Sequence, residues 1–181
     1  MCCRFYYDYE VIRPALKEEG IFCPESPSGM VCPGKDALVL RGVNETVTAE
    51  QARWGFGDII NARSESYLVK PSFGLASRCI LPAISFYEWD SAKDLATFSF
   101  PGDQVIFLAG LWKIIENDPR FVVLTTRANE SMKPVHDRMP LLISRKNIKP
   151  WLFDDSAAKD LAREKMPELL VKREIEQMML F

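Results

Sequence analysis

Short apolar segments fill the middle of the chain, and turn signals separate them. Segments rich in the β-branched and aromatic residues that favour strands cover residues 37–40, 80–89, 97–100, 105–115 and 121–126. Two short turns, Pro101-Gly102-Asp103 and Glu116-Asn117-Asp118-Pro119, connect neighbouring segments. Because parallel neighbours need a long crossover, links this short predict antiparallel pairing.

Helical patterns lie mainly outside this central region. They cover residues 49–54, 129–135, 148–153 and 156–163, with weaker helical character at 9–19, where Pro14 interrupts it, and at 174–180. Residues 20–35 contain three prolines and three glycines, which indicates a loop. Strands in the middle with helices at the flanks predict an α+β fold with a curved, barrel-like, mainly antiparallel sheet, forming a single domain over residues 1–181.

The composition allows a globular core but does not indicate a general binder of polyanions. Of the 181 residues, 48% are apolar and 27% are charged, with a net charge of -2. The charge is unevenly distributed, because residues 120–149 carry seven basic and two acidic side chains whereas residues 79–119 carry two basic and six acidic ones. The basic segment is either a solvated face or a binding surface.

The cysteines and the hydropathy pattern argue against several other classes. The five cysteines stand at positions 2, 3, 23, 32 and 79 without a C-x-x-C pair, and the chain has one histidine, so we expect no metal site and no cofactor. The longest apolar run, residues 105–112, is shorter than the ~20 residues that cross a bilayer, and the N-terminus lacks an export signal. We therefore expect a cytoplasmic protein with reduced thiols and no membrane partner.

His136 is the single histidine, within the sequence KPVHDRMP. Histidine is the side chain whose charge ordinarily changes near neutral pH, which makes His136 a candidate general acid or base. Lys133 and Arg138 flank it in the basic segment. The alternative is a loop histidine whose ring makes only structural hydrogen bonds.

Cys2 follows the initiator methionine. A small residue at position two normally permits removal of Met1, which leaves Cys2 with a free α-amine beside its thiol. Both groups are partly in their nucleophilic forms at neutral pH. With an aldehyde the amine forms a Schiff base, and the thiol can close onto it as a five-membered thiazolidine. The alternative is that Cys2 and Cys3 are small hydrophobic residues that anchor the first strand.

The segment from Trp54 to Glu65 places polar side chains after a glycine-containing turn. If residues 61–63 are extended, Asn61 and Arg63 project to the same side. Arg63 suits a phosphate, and an exposed Trp54 suits stacking on a base. The alternative pairs Arg63 with Glu65 and buries Trp54 in the core.

Glu88 stands at the end of a strongly apolar segment, among aromatic residues at positions 86, 87 and 89. A carboxylate in such surroundings can serve as a general acid or base. The alternative is a glutamate at the end of a strand that points to water.

Seven motifs occur in one order along the chain. They are MCCRF (1–5), WGF (54–56), NARSE (61–65), RCxxPxxxFYEW (78–89), AGLW (109–112), TTRAN (125–129) and HDRMP (136–140). Each is unspecific alone, but as an ordered set with cysteine at position two they resemble the SOS-response-associated peptidase family, SRAP, from Cys2 to about Trp151. The resemblance implies a protein that recognises abasic sites in single-stranded DNA and crosslinks its N-terminal cysteine to the ring-opened sugar aldehyde.

The resemblance also implies roles for four residues. Cys2 is the nucleophile after an aminopeptidase or autoproteolysis removes Met1, and the product is a thiazolidine. Asn61 positions the Cys2 amine or the sugar, and Glu88 exchanges protons with that amine. His136 acts as acid or base during ring opening and during reversal of the crosslink, which would be a lyase activity.

The residues expected to bind DNA are three arginines on phosphates, one tryptophan on the base next to the lesion and two secondary contacts. They are Arg4, Arg63 and Arg138, then Trp54, then Arg78 and Thr126. The expected partner is single-stranded DNA that contains abasic sites. We expect a monomer without metal or cofactor, located in the cytoplasm and at the nucleoid during DNA damage.

The chain departs from the family pattern at three places. Cys3 stands where the family commonly has glycine, which could strain the backbone or divert the chemistry of Cys2 by oxidation. Ser85 stands where a glycine usually precedes the aromatic-rich element, and only six residues separate Trp54 from Asn61. The departures leave all four proposed catalytic groups in place.

Two rival functions remain open. One is a thiol peptidase acting on other proteins, with Cys2 or Cys79 as nucleophile, His136 as base and Glu88 as the group that orients it. The other is a module that binds single-stranded DNA without forming a covalent bond.

Overall fold

Two β-sheets and three helices make up the part of the chain that the computed structural model describes, residues 3–67 and 70–174. The helices are α1 (Tyr9–Glu18), α2 (Ile148–Phe153) and α3 (Asp155–Leu161). The strands are β1 (Arg4–Tyr7), β2 (Gly29–Val31), β3 (Asp36–Val43), β4 (Thr46–Trp54), β5 (Asn61–Arg63), β6 (Ser77–Ala83), β7 (Ser85–Trp89), β8 (Leu95–Ser99), β9 (Ile106–Ile115), β10 (Asp118–Arg127), β11 (Arg138–Pro140) and β12 (Leu170–Glu174).

The larger sheet closes on itself. Strands β3, β4, β10, β9 and β6 pair in a ring, because β6 pairs with β3 on one side and with β9 on the other. The pairings are antiparallel except where β10 runs parallel to β4 and β5. The predicted α+β class with a curved, barrel-like, mainly antiparallel sheet is confirmed.

The smaller sheet has the strand order β12-β8-β7-β1-β2. The predicted strand at 80–89 is divided between the two sheets, since β6 belongs to the ring and β7 to the smaller sheet. The chain bends at Ile84, whose N–H donates to the carbonyl of Tyr6 at 2.8 Å. One continuous segment therefore joins the two sheets.

The predicted helix at 49–54 is wrong, because these residues belong to β4. Asn44 and Glu45 have φ values of 48° and 63°, the left-handed conformation at both central positions of a two-residue hairpin turn. This turn pairs β3 with β4 from Asp36 opposite Arg53 to Val43 opposite Thr46. Of the turn predicted at residues 116–119, Glu116 and Asn117 form a turn of the same kind that joins β9 to β10, whereas Asp118 and Pro119 already belong to β10.

The antiparallel pairing predicted across Pro101-Gly102-Asp103 is wrong, because β8 belongs to the smaller sheet and β9 to the ring. Most of the other predicted elements are confirmed. The short helix at 148–153 is α2, and the helix predicted at 156–163 is α3 with bounds shifted toward the N-terminus. Residues 129–135 form turns instead of the predicted helix, and the predicted loop at 20–35 contains the short strand β2. The helical tail predicted at 174–180 lies outside the described residues from 175 onward.

Helix α1 runs through Pro14 without a break. Asp8 caps its N-terminus by accepting hydrogen bonds from the N–H groups of Glu10 and Val11. Ile12 and Leu16, one turn apart, are fully buried and hold the helix on the core. Pro14 faces solvent, where water can satisfy the carbonyl that its ring leaves unpaired.

The core brings the two sheets together through aromatic contacts. The ring of Phe5 in β1 lies 5.3 Å from that of Trp54 in β4, and Trp54 stacks on Phe121 at 5.8 Å. Within the described residues, no helix has both the length and the apolar character that crossing a membrane requires.

Candidate active site

Three of the sequence motifs meet at Thr125 in β10. The strand β5 lies along one edge of β10, with Arg63 opposite Thr125, and β11 lies along the other edge, with Pro140 opposite Thr125. The Thr125 carbonyl accepts hydrogen bonds from the N–H of Ser64 at 2.8 Å and from Nη2 of Arg138 at 2.5 Å. The NARSE, TTRAN and HDRMP segments, far apart in sequence, are therefore one structural unit.

Arg138 and Glu65 form a two-point ion pair within this unit. Nη1 of Arg138 lies 2.6 Å from Oε1 of Glu65, and Nη2 lies 2.9 Å from Oε2. The hydrogen bonds from Arg138 hold the pKa of Glu65 below its usual value. Arg138 is 8% exposed. From its sequence position we expect Arg138 to present its guanidinium to a phosphate. In the structure the guanidinium instead joins the HDRMP segment to the NARSE segment.

His136 lies just before β11, and its side chain is 29% exposed. Its Nδ1 accepts the backbone N–H of Arg138 at 2.9 Å and lies 2.8 Å from Oδ1 of Asp137. Because Nδ1 accepts a hydrogen bond, the neutral ring carries its proton on Nε2. The ring can thus donate a hydrogen bond from Nε2.

Glu88 lies beside the first described residues of the chain. Strands β1 and β7 pair with Arg4 opposite Tyr87, and the thiol of Cys3 donates to the Tyr87 carbonyl with an Sγ to O distance of 3.5 Å. Glu88 is 6% exposed, so the alternative in which it points to water is wrong. Burial and the nearby Glu88 charge raise the pKa of Cys3 to about 11. Cys2 lies outside the described residues.

Asn61 opens β5 and is half-buried, with its backbone opposite Val123. The preceding carbonyl, that of Ile60, accepts a hydrogen bond from Nε1 of Trp54 at 2.8 Å. Trp54 is 1% exposed, so the expectation that it stacks on a base is wrong and the alternative that it lies in the core is confirmed. Since Phe5 packs on Trp54, this indole connects β1 to the start of the NARSE segment.

The remaining predicted DNA contacts differ in their placement. The guanidinium of Arg4 lies over the ring of Trp89, 4.2 Å from its centroid, and Trp89 is 36% exposed. Arg63 is exposed at the end of β5, and Thr126 is half-buried. Arg78 donates to the Trp151 carbonyl at 2.5 Å and to Asp155 at 2.7 Å.

These placements separate the arginines into two groups. Arg78 ties β6 to α2 and α3, so its guanidinium is committed to the fold, as that of Arg138 is. Arg4 and Arg63 keep partly or fully exposed side chains. Of the four arginines chosen from the sequence, Arg4 and Arg63 are therefore the two whose placement suits a phosphate.

Sequence reasoning missed Thr125 and Glu65 as organising residues. Only Thr126 of the TTRAN motif was expected to matter, although Thr125 is the fully buried member of the pair. The sequence suggests Arg63 as the partner of Glu65, whereas the Glu65 carboxylate binds Arg138. The sequence signal for this site is that the two threonines of TTRAN directly follow an apolar strand. This signal does not reveal which of the two threonines is buried.

The described residues hold no group of three or more histidine, cysteine, aspartate or glutamate side chains that could bind a metal ion. A cavity of about 630 Å³ lies between α1 and the segments 142–145 and 164–167, and its lining includes Leu142 and Met166. None of the predicted catalytic residues lines it.

Comparison with known proteins identifies a family and several relatives. The sequence profile of SOS response associated peptidase (SRAP) matches residues 1–179. The chain is 32% identical over 157 residues to the abasic site processing protein YoqW of Bacillus subtilis, which covers 72% of this chain and 70% of the relative. It is 26% identical over 185 residues to the abasic site processing protein YedK of Escherichia coli, which covers 88% of this chain and 83% of the relative.

Solved structures share the fold. A protein from Bordetella bronchiseptica superposes with a TM-score of 0.79 at 21% identity, covering 96% of this chain and 100% of that chain. A protein from Bacteroides thetaiotaomicron superposes with a TM-score of 0.75 at 15% identity, covering 97% of this chain and 93% of that chain. At these identities the likeness concerns the fold alone.

Proposed function

The chain belongs to the SOS response associated peptidase family, and from this we propose that it processes abasic sites in single-stranded DNA by a covalent crosslink at its N-terminal cysteine. The names of the relatives YoqW and YedK, both abasic site processing proteins, support the substrate. The observation that carries the proposal is the buried Glu88 beside the first residues of β1, because a carboxylate there can serve an N-terminal amine.

The reaction begins when Met1 has been removed, by an aminopeptidase or by the protein itself. The Cys2 amine attacks C1′ of the ring-opened sugar, and the resulting carbinolamine loses one water to give a Schiff base. The Cys2 sulfur then adds to the same carbon, and the thiol proton moves to nitrogen. The product is a thiazolidine, formed from one aldehyde and one N-terminal cysteine with release of one water.

Glu88 and His136 supply the proton transfers in this scheme. Glu88 takes a proton from the Cys2 ammonium, which frees the amine for attack, and returns it to the departing water. His136 donates from Nε2 to the sugar ring oxygen as the ring opens, and the reverse transfer accompanies reversal of the crosslink. Asn61 holds the amine or the sugar by hydrogen bonds. Its position next to the Trp54 to Ile60 hydrogen bond supports a fixed orientation.

The DNA strand contacts Arg4 and Arg63 through its phosphates, with the exposed Trp89 ring beside Arg4 available to a base. Thr126 is a secondary contact. A few phosphate contacts suffice for a protein with a net charge of -2, and they make the affinity fall as salt rises. The protein acts as a monomer in the cytoplasm, at the nucleoid during DNA damage, without metal or cofactor.

The decisive experiment incubates the protein with a single-stranded oligonucleotide that carries one abasic site. Intact mass first establishes that the chain begins at Cys2. We expect an adduct that survives heating and denaturing electrophoresis, with the mass of protein plus oligonucleotide minus one water. The same strand without the lesion and the Cys2→Ala variant are the controls, and neither should give the adduct.

Two other outcomes would replace the proposal. Absence of an adduct from a chain that begins at Cys2, together with equal affinity for intact and abasic strands, would favour a non-covalent binding module. Cleavage of an unrelated protein that depends on Cys2 or Cys79 would favour a peptidase that acts in trans.

A further inference from the structure

The segment 166–174, which we call the C-terminal strap, is hydrogen-bonded to the loop 129–136 that ends at His136. Nδ2 of Asn129 donates to the Pro167 carbonyl at 2.6 Å, and the N–H of Ser131 donates to Oε2 of Glu168 at 2.9 Å. The N–H of Leu169 donates to Oγ of Ser131 at 3.2 Å. Loop and strap are therefore connected at three successive positions.

The loop depends on such contacts because it contains turns and no regular helix. Oδ1 of Asn129 accepts from Oγ of Ser131 at 2.8 Å and from the N–H of Met132 at 3.0 Å. The N–H of His136 donates to the Met132 carbonyl at 3.0 Å. Ser131 thus connects the strap to Asn129. Asn129 is hydrogen-bonded to Met132, whose carbonyl accepts the N–H of His136.

The strap also belongs to the sheet that carries Glu88. Its last part is β12, which pairs with β8 from Leu170 opposite Ser99 to Glu174 opposite Leu95, and β8 pairs with β7. Arg173 lies on this strand. Its Nη2 donates to the Pro134 carbonyl at 3.4 Å, and its Nη1 lies 3.5 Å from Oδ2 of Asp90, just beyond β7.

We propose that the C-terminal strap positions His136 relative to Glu88, with Ser131 and Glu168 as positioning residues. His136 sits at the end of a loop built on the ring-shaped sheet, whereas Glu88 sits on the smaller sheet. The strap is hydrogen-bonded to that loop and, through β12, to β8 of the smaller sheet. The catalytic meaning of this arrangement rests on the proposed function, but the contact between strap and loop does not.

The single histidine makes a direct test possible, because the imidazole NMR signals of the protein belong to His136 alone. Spectra of the wild type, Ser131→Ala and Glu168→Gln are compared. We expect the His136 signals to shift or broaden in both variants while thermal unfolding stays cooperative. Glu164→Gln is the matched control, an exposed glutamate nearby whose side chain makes no hydrogen bond to the loop among the described residues.

The second measurement is the rate of crosslinking to an abasic strand as the DNA concentration rises. We expect the maximal rate to fall about tenfold in Ser131→Ala and Glu168→Gln. The DNA concentration at which the rate is half-maximal should change little. Ser131→Thr keeps the hydroxyl and should recover most of the rate. A variant that only lost stability would instead recover fully at lower temperature.

The outcomes separate the two proposals. If the His136 signals are identical in wild type, Ser131→Ala and Glu168→Gln, the strap does not position His136 and the inference is overturned. If the signals move but the maximal rate does not, the strap has no catalytic role and the inference is equally overturned. If the wild type forms no crosslink, the proposed function fails, whereas the NMR comparison still decides whether the strap positions the loop.

Discussion

Arg138 donates hydrogen bonds to both carboxylate oxygens of Glu65, at 2.6 and 2.9 Å, although the two residues are 73 positions apart in the sequence. The same guanidinium reaches the Thr125 carbonyl. Because two N–H groups of the guanidinium donate in parallel to the two carboxylate oxygens, the pair fixes the relative orientation of the two side chains as well as their distance. It thereby holds the HDRMP segment, and with it His136, against the NARSE segment that begins at Asn61.

The Glu65→Gln variant should have a lower free energy of unfolding than the wild type at neutral pH, and this difference should disappear in acid. The pKa of Glu65 is lowered in the folded protein, so its contribution is present above the unfolded value of ~4.3 and disappears as pH falls through the lowered value. Since the Glu65 side chain is 46% exposed, solvent screens the pair, and we expect about 1 kcal/mol or less at pH 7. Chemical denaturation between pH 7 and pH 3 measures it. A constant difference across this range would contradict the assignment.

The Trp54→Phe variant tests the position of the indole. Phenylalanine keeps an aromatic ring against Phe5 and Phe121 but removes the Nε1 donor to the Ile60 carbonyl. We expect a loss of about 1–2 kcal/mol in unfolding free energy from the missing hydrogen bond and the smaller ring. Affinity for an intact single strand, measured by fluorescence anisotropy, should not change. A drop in affinity without a drop in stability would restore the idea that Trp54 stacks on a base.

The sequence predicts the strands well because their turns have local signatures. The pair Glu116-Asn117 stands between two apolar runs, and the structure places a tight hairpin turn there. The equivalent turn at Asn44-Glu45 lacks the glycine that marks such turns most strongly. The following residues, with alanine and glutamate prominent, have high helix propensity. Pairing along the whole of β3 overrides that propensity, which no local pattern reveals.

The site is harder to predict because burial depends on the packing of distant segments. Residues 121–125 are buried on both faces of β10. The alternation of apolar and polar residues therefore does not show whether Thr125 or Thr126 is the buried threonine. Arg138 and Arg63 look alike in sequence, yet one is buried in an ion pair and the other is exposed. The residue types of the site could be read from the motifs, but which of them contact each other could not.

The Gly110→Ala variant should be destabilised by overpacking of the ring-shaped sheet. A Cβ atom at this position would lie 2.8 Å from the Val122 carbonyl oxygen and 2.9 Å from the sulfur of Cys79. The backbone oxygen cannot move without disturbing the pairing of β9 with β10. We expect a loss of about 1–3 kcal/mol, measured by thermal unfolding. Gly20→Ala gives a useful contrast, because a Cβ there meets no atom within 4 Å and its cost comes from its positive φ.

The Arg4→Ala variant should weaken binding of single-stranded DNA uniformly across sequences. Arg4 stacks on Trp89, which holds its guanidinium on the surface of the smaller sheet. If it contacts one phosphate, the affinity should fall several-fold, and the slope of log affinity against log salt should decrease by about 0.7. Lys17→Ala, on the exposed side of α1, is the control. An unchanged slope would remove Arg4 from the DNA contacts.

The last prediction concerns the thiol of Cys3 and the charge of Glu88. Burial first and Glu88 second raise the pKa of Cys3 to about 11, so the thiol remains protonated at neutral pH and does not compete with an N-terminal nucleophile. Its alkylation by iodoacetamide, followed by peptide mass mapping, should accelerate about tenfold per pH unit up to about pH 11.

Removal of the charge in Glu88→Gln should lower that pKa and speed alkylation of Cys3 a few-fold at pH 8, because a like charge no longer opposes the thiolate. Glu164→Gln, in a different part of the chain, should leave the rate unchanged. Equal rates in wild type and Glu88→Gln would mean that the carboxylate does not act on the start of β1, and the proton-transfer role proposed for Glu88 would then lose its physical basis.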